Sequence, residues 1–258
     1  MVMQTIHLYE RVEIKKTRSP HIHVENNLYY LPANEDNLVY RAAKMMKDEF
    51  QINEGVRIVL QKFIPVAAGL AGGSSDAAAV LVGMNRIFNL GLKQNKLMEL
   101  GLKIGADVPF CVYGGTMSAS GIGTILSPLP DLPECYLVIV KPNIGVCTKD
   151  AYEKSDSPEF SAIKGMDKIT ESICEANIKS VAKHLYNKFE VVMALPEVEK
   201  IKQIMLDCGA LGATMTGSGS AVFGIFDHDN MRDDCAKRLD DDYEYVYKAE
   251  PVSEVFFG

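Results

Sequence analysis

Residues 65–79 of this 258-residue chain read Pro-Val-Ala-Ala-Gly-Leu-Ala-Gly-Gly-Ser-Ser-Asp-Ala-Ala-Ala, and they restrict the fold more than any other stretch. Ahead of them Val56, Ile58 and Leu60 alternate with Arg57, Val59 and Gln61, the period of a β-strand. Behind them Ala77, Val80, Leu81, Met84, Ile87 and Phe88 recur at helical spacing, with Gly91 expected at the C′ position. Gly69, Gly72 and Gly73 permit positive φ and close backbone approach, and Ser74 or Ser75 is expected to cap the helix. A strand, a glycine loop and a helix N-terminus in that order aim free N–H groups and a favourable dipole at an anion. The stretch therefore reads as a phosphate cradle. The same residue types would also serve a tight turn between a strand and a core helix.

Two familiar cradles are excluded by spelling. No lysine follows the glycines as a P-loop requires, and the loop does not spell G-x-G-x-x-G. Asp76 falls in the first helical turn, where it suits the helix dipole but repels anionic oxygens, a conflict that argues for a divalent cation.

The flanking chain places the loop in the first of two domains. Residues 5–25 alternate apolar and polar in two runs, Ile6/Leu8 through Val12/Ile14 and then Ile22/Val24, which is strand patterning. His21 and His23 share a face opposite Ile22, and exposure accounts for them better than a metal does. Leu38, Val39, Ala42, Met45 and Met46 form one helical stripe with Asn34 or Asp36 available as cap. A further helix over about 95–104 ends at Gly105, and Asp107 follows in an elbow where Pro109 is expected to hold Val108 extended. The glycine-, serine- and proline-rich residues 114–131 are read as the boundary, giving domains 1–131 and 132–258. Beyond the boundary come a strand (136–140), helical segments (161–188), a helix (196–208), strands (213–216 and 221–226), a helix (229–239) and a strand (243–249). Apart from the extra helical segments this is β-α-β-β-α-β, the order of a ferredoxin-like domain.

Composition narrows the partners. With 27 basic against 34 acidic side chains the net charge is −7, so no chain-wide basic field is available for a polynucleotide or an anionic membrane. A small anionic ligand has to be handled locally. The six cysteines are scattered without a C-x-x-C pair and read as reduced, mostly core thiols. Neither a transmembrane run nor a signal-peptide pattern is present, and the expected location is the cytoplasm, as monomer or homodimer.

The run 65–78, the segment 105–109 (Gly-Ala-Asp-Val-Pro) and the segment 212–220 (Gly-Ala-Thr-Met-Thr-Gly-Ser-Gly-Ser) resemble, in this order, the signatures of the GHMP small-molecule kinases. With Glu35-Asp36-Asn37-Leu38 added, the chain more narrowly resembles the branch of that superfamily acting on a cytidine-diphosphate-linked methylerythritol in the non-mevalonate route to isoprenoids. The resemblance spans essentially the whole chain. It implies an α+β, two-domain GHMP kinase fold with a ribosomal protein S5 domain 2-like first half and a ferredoxin-like second half. It implies ATP and Mg²⁺ as cofactors, and a small-molecule acceptor phosphorylated on its 2-hydroxyl. Pro65, Gly69, Leu70, Ala71, Gly72, Gly73, Ser74 and Ser75 would hold the nucleotide's phosphates, with the Ser75 or Ser74 hydroxyl on Mg²⁺ or a phosphate oxygen. Asn37 and Leu38 would line the adenine pocket. Lys62 would reach the nucleotide, or else end its strand at the surface.

Asp107 occupies the superfamily's usual catalytic position and would take the proton from the acceptor hydroxyl, although in a turn it could equally be a cap. Thr148 and Tyr152 match the segment that contacts the cytidine side, with Tyr152 as a possible stacking face. Gly217 and Ser218 would offer backbone N–H groups to the substrate's phosphates, or simply close a hairpin. The family pattern also begins with a strand bearing a lysine, then an arginine and a Gly-Tyr-His stretch, which these 258 residues do not contain. The expectation is that a preceding segment is omitted, or that the chain has lost its lysine and part of the substrate pocket and serves as a nucleotide-binding module. An acceptor such as homoserine, mevalonate or a sugar is the other alternative.

Overall fold

The structure is a computed structural model that describes residues 1–121, 123–146, 151, 153–154 and 166–255. Thr148 and Tyr152 lie outside the described residues.

In the first half, β2 (Arg11–Thr17) pairs antiparallel with β4 (Gly55–Gln61), and β3 (Ile22–Asn26) pairs parallel on its other side. Val56, Ile58 and Leu60 of β4 are buried, as their alternation predicts. They meet α1 (Leu38–Glu49) and α2 (Gly72–Ile87), which pack against each other through Val39, Ala42, Ala43 and Met46 on one side and Ala77, Leu81 and Met84 on the other. Each of the large side chains so buried contributes roughly 2–3 kcal/mol of transfer free energy. α3 (Gln94–Leu102) and α4 (Val108–Tyr113) close this core.

Several local expectations shift. The cap of α1 is Asn37, whose Oδ1 accepts from Val39 N at 2.9 Å, rather than Asn34 or Asp36. Asn34 instead bonds the N–H of Asp36 inside the preceding turn. α2 begins at Gly72 on a left-handed Ala71 with no side-chain cap, so Ser74 and Ser75 lie inside its first turn. At its far end Asn89, with φ 51°, takes the left-handed position expected of Gly91, because Asn tolerates that region. Val108 is the first residue of α4 rather than extended: Pro109 sits in the first helical turn, where its missing N–H costs nothing.

Residues 114–131, read as a boundary, contain β5 (Thr116–Ser120) and β6 (Ile125–Pro128), which pair with each other, β5 pairing on its other side with β1 (Val2–Gln4). Serine and glycine hid two short strands.

The second half is a four-stranded antiparallel sheet in the order β10-β7-β9-β8, formed by β7 (Tyr136–Lys141), β8 (Gly212–Met215), β9 (Val222–Phe226) and β10 (Tyr245–Ala249). Numbered within the motif this is 4-1-3-2, the ferredoxin-like arrangement. Both faces are covered, which is why β7 reads as an unbroken apolar run. Val138 and Val140 face α8 (Pro196–Asp207) and α9 (Asp229–Asp240). Leu137 and Ile139 face a cluster that holds α5 (Met166–Cys174), α6 (Ile178–Lys183), and Ala68 and Leu70 of the glycine loop. The loop's own apolar side chains thus seat it against the second half. Helix α7 (Lys188–Met193) follows, capped by Asn187.

Among the described residues no helix is long and apolar enough to cross a membrane. The described cysteines are free thiols, but Cys174 is exposed and Cys208 half-buried, so only Cys111, Cys135 and Cys235 fit the expectation of core residues.

Candidate active site

The glycine loop is built between two fixed ends. At its entry, both backbone groups of Lys62 bond Asn27: its N–H donates to Oδ1 at 2.8 Å and its carbonyl accepts from Nδ2 at 3.1 Å. At its exit, the N–H groups of Gly72, Gly73 and Ser74 have no acceptor within α2, because a helix leaves its first donors free. The first intrahelical bond of the turn runs from Ser75 N to Ala71 O at 2.9 Å. The Ser75 hydroxyl donates to Gly72 O at 2.9 Å, leaving its lone pairs available.

Of the loop glycines only Gly69 has a positive φ, +74°; the other left-handed residues are Ala67 and Ala71. Gly72 and Gly73 are ordinary helical residues, needed for approach rather than for unusual dihedrals. A Cβ on Gly73 would meet only Leu38 Cδ1, at 3.6 Å, which places Leu38 beside the cradle. Asn37 behind it is buried, its amide donating to Pro32 O at 2.7 Å.

The second half supplies the opposite wall. Thr216 Oγ1 donates to Gly69 O at 3.0 Å, and Ala221 N donates to Ala68 O at 3.1 Å. The backbones approach so closely that a Cβ on Gly69 would fall 2.2 Å from Thr216 O, and one on Gly217 2.9 Å from Gly69 O. Two signatures 147 residues apart in sequence therefore form one double loop, which puts Gly217 against the glycine loop. Asn187 supports this hairpin, donating through Nδ2 to Met215 O at 2.6 Å and Gly217 O at 2.8 Å while its Oδ1 caps α7. Ser220 Oγ donates to Ile144 O at 2.6 Å and so ties the hairpin to the chain that leads into the segment around residue 148. No pattern in the sequence marked Asn187; a polar residue before a short helix was its only local signal.

Lys62 is no surface lysine. Its ammonium is buried, donating to Asp76 Oδ2 at 2.8 Å and ion-paired with Glu10. Asp76 therefore has a cation from the protein itself, which answers part of the repulsion read from the sequence. Its other oxygen, Oδ1, is buried with no hydrogen-bond partner among the described residues. Burial pushes the Asp76 carboxyl up to about 6 against the pull of Lys62.

Asp107 lies at the N-cap position of α4 without capping it. No described group hydrogen-bonds or ion-pairs with its carboxylate, and burial raises it from its ordinary value. One turn on, the buried Cys111 thiol is raised first by burial and then by Asp107 and Asp76, on a helix, α4, that packs on α2. The arrangement thus gathers the glycine loop, a buried cation and a carboxylate raised by burial, in one half of the chain. His23, by contrast, pairs with Glu25 at 3.1 Å on an exposed strand face.

The residues fit a hard cation in kind. Ser75 Oγ and the partnerless Asp76 Oδ1 are oxygen donors, and Mg²⁺ commonly takes one or two protein ligands beside substrate phosphates. A group of three metal-ligating side chains is accordingly not required, and none occurs among the described residues.

Comparison with known proteins agrees with this architecture. The family model for the GHMP kinases N terminal domain matches residues 37–115, and that for the GHMP kinases C terminal matches residues 169–244. A protein of Lachnoclostridium phytofermentans named 4-diphosphocytidyl-2-C-methyl-D-erythritol kinase is 44% identical over 100% of this chain and 86% of its own length. A protein of the same name from Clostridium tetani is 42% identical over 98% of this chain and 90% of its own. Among solved structures, a 4-(cytidine 5'-diphospho)-2C-methyl-D-erythritol kinase superposes with a TM-score of 0.81 at 28% identity, covering 97% of this chain and 88% of the other. The homoserine kinase of Cytophaga hutchinsonii superposes at 0.83 with 18% identity over 99% and 90%, a likeness of fold alone. Fold, signatures and relatives together define a small-molecule kinase that uses ATP. The chain belongs to the GHMP kinase family.

Proposed function

We propose that this kinase transfers the γ-phosphoryl group of ATP to the 2-hydroxyl of 4-diphosphocytidyl-2-C-methyl-D-erythritol, a step of the non-mevalonate isoprenoid route. The observation that carries the reading is similarity along the entire chain to proteins bearing that name, with 44% identity in the Lachnoclostridium relative. The site chemistry is compatible with it. Phosphoryl transfer asks a protein mainly for positioning and charge stabilisation.

In this reading the N–H groups at the start of α2 and the 65–75 loop hold the nucleotide's phosphates, and Asn37 and Leu38 border the adenine; Lys62, expected to reach the nucleotide, is instead engaged by Glu10 and Asp76 beneath the loop and supports it from there. Gly217 and Ser218 are assigned to the acceptor's phosphates, and Thr148 and Tyr152, by the resemblance alone, to its cytidine. Asp107 accepts the proton of the acceptor hydroxyl as that oxygen bonds to the γ-phosphorus and the bond to the ADP oxygen breaks. A carboxylate raised by burial is a better base than a solvated one. Mg²⁺, held by Ser75, would neutralise charge on the phosphates when bound.

The domain division falls between 131 and 132, after β6 and before β7. The protein works in the cytoplasm as monomer or homodimer, without nucleic acid or membrane, in keeping with its net charge of −7.

Asp107→Asn tests the assignment. It keeps size but cannot take the proton, so kcat should fall by roughly 10²- to 10⁴-fold with ATP affinity little changed. A folded variant with near-parental kcat removes Asp107 from the chemistry.

A further inference from the structure

Glu10 lies between β1 and β2, far in sequence from every signature, yet its carboxylate is buried under the cradle. It accepts from Phe63 N at 2.6 Å through Oε2 and from Ile64 N at 3.3 Å through Oε1, and it pairs with the Lys62 ammonium. Lys62 in turn reaches Asp76 in the first turn of α2. A Cβ placed on Gly72 would lie 3.3 Å from Lys62 Nζ and 3.6 Å from Glu10 Oε1, so the pair sits directly behind the first residue of the helix. From the other half of the molecule the Tyr247 hydroxyl donates to Phe63 O at 3.0 Å.

Residues 62–64 are thus held from three sides, and one carboxylate spans all three of them. A buried ion cluster adds little stability over apolar packing of the same volume. What it provides is direction: Lys62 joins the loop's entry, through its own backbone, to the loop's exit, through Asp76, and Glu10 fixes where that link stands.

We propose that Glu10 is a positioning residue for nucleotide binding, acting through Lys62 and the backbone of Phe63 and Ile64 to set the glycine loop over the first turn of α2. The proposal rests on the reading that this loop holds ATP. Glu10→Gln keeps shape and an acceptor oxygen but loses the charge. It should weaken binding of a non-hydrolysable ATP analogue in calorimetry about tenfold, the size of one lost charge-assisted hydrogen bond. The KM for ATP should rise in parallel, with a smaller loss in kcat, and the KM for the acceptor should stay within about twofold.

In a Lys62→Met background the same change should add little, since the two residues act as one unit. Should Glu10→Gln not fold, Glu10→Asp keeps the charge but shortens its reach to the Lys62 ammonium and the Phe63 N–H, and carries the same expectation. A folded Glu10→Gln with parental analogue affinity and only a lower melting temperature overturns the proposal. Gly73→Val separates that failure from a failure of the site itself. If it abolishes analogue binding while Glu10→Gln does not, only the role of Glu10 falls; if the folded Gly73→Val binds normally, the loop is not the ATP site and the proposal falls with it.

Discussion

Gly69→Ala probes the double loop on which the site depends. Gly69 has φ +74°, where an alanine costs about 1–2 kcal/mol. Its new Cβ would also stand 2.2 Å from Thr216 O and 3.1 Å from Gly219 N, contacts with backbone that no rotamer change can relieve. Overpacking of this kind adds roughly 1–3 kcal/mol, for about 3 kcal/mol in all. At about 2–4 °C per kcal/mol for a chain of this size, the melting temperature should drop by about 6–12 °C. If the loops part instead, the bond from Thr216 to Gly69 is lost and affinity for an ATP analogue falls by about two- to tenfold, in proportion to that bond. Gly91→Ala is the control, because Gly91 has φ +65° with nothing within 4 Å of the added carbon. It should show the dihedral strain alone, about 1–2 kcal/mol, with ATP affinity intact. Equal melting temperatures for the two variants, together with unchanged analogue binding by Gly69→Ala, would refute the loop-on-loop account.

Two further outcomes follow from the surrounding groups. Because folding raises the Asp76 carboxyl from 3.8 to about 6, the folded chain holds a proton there that the unfolded chain releases, and its stabilising effect is complete below about pH 4 and lost as pH rises through about 6. The stability difference between the parent and Asp76→Asn, from denaturant melts, should therefore move against the parent by up to about 3 kcal/mol over that window; a pH-independent difference would contradict the burial of an ionising carboxyl. Asn187→Ala removes a helix cap and two bonds to the hairpin, and should cost about 1–2 kcal/mol in melts while raising the KM for the acceptor more than that for ATP; equal effects on the two substrates would dissociate the hairpin from acceptor binding.

The strands and helices that carry the loop were legible because each has one buried face. Val56, Ile58 and Leu60 on β4, and Ala77, Val80, Leu81 and Met84 on α2, repeat at the periods their burial demands. The alternating order of the second half likewise declared its sheet. β5 and β6 were not legible: they are short, and Ser118, Ser120 and Ser127 spell a loop as readily as an edge strand. Cap positions slipped by a few residues, since Asn34, Asp36 and Asn37 are chemically equivalent candidates and only the packed helix chooses. At the site, the glycine loop, Asp107 and the 216–220 hairpin announced themselves by motif. Glu10 and Asn187 did not, because their roles come from contacts across 28 or more residues of sequence and no local pattern encodes such a contact.

The central claim is the identity of the acceptor, and the most direct measurement is steady-state ADP release with MgATP and a panel of 4-diphosphocytidyl-2-C-methyl-D-erythritol, homoserine and mevalonate. The account predicts turnover that requires the cytidylated erythritol, with the phosphate placed on its 2-hydroxyl in the isolated product and loss of that turnover in Asp107→Asn. Faster turnover with homoserine or mevalonate, or phosphate on another hydroxyl of the cytidylated substrate, would contradict it.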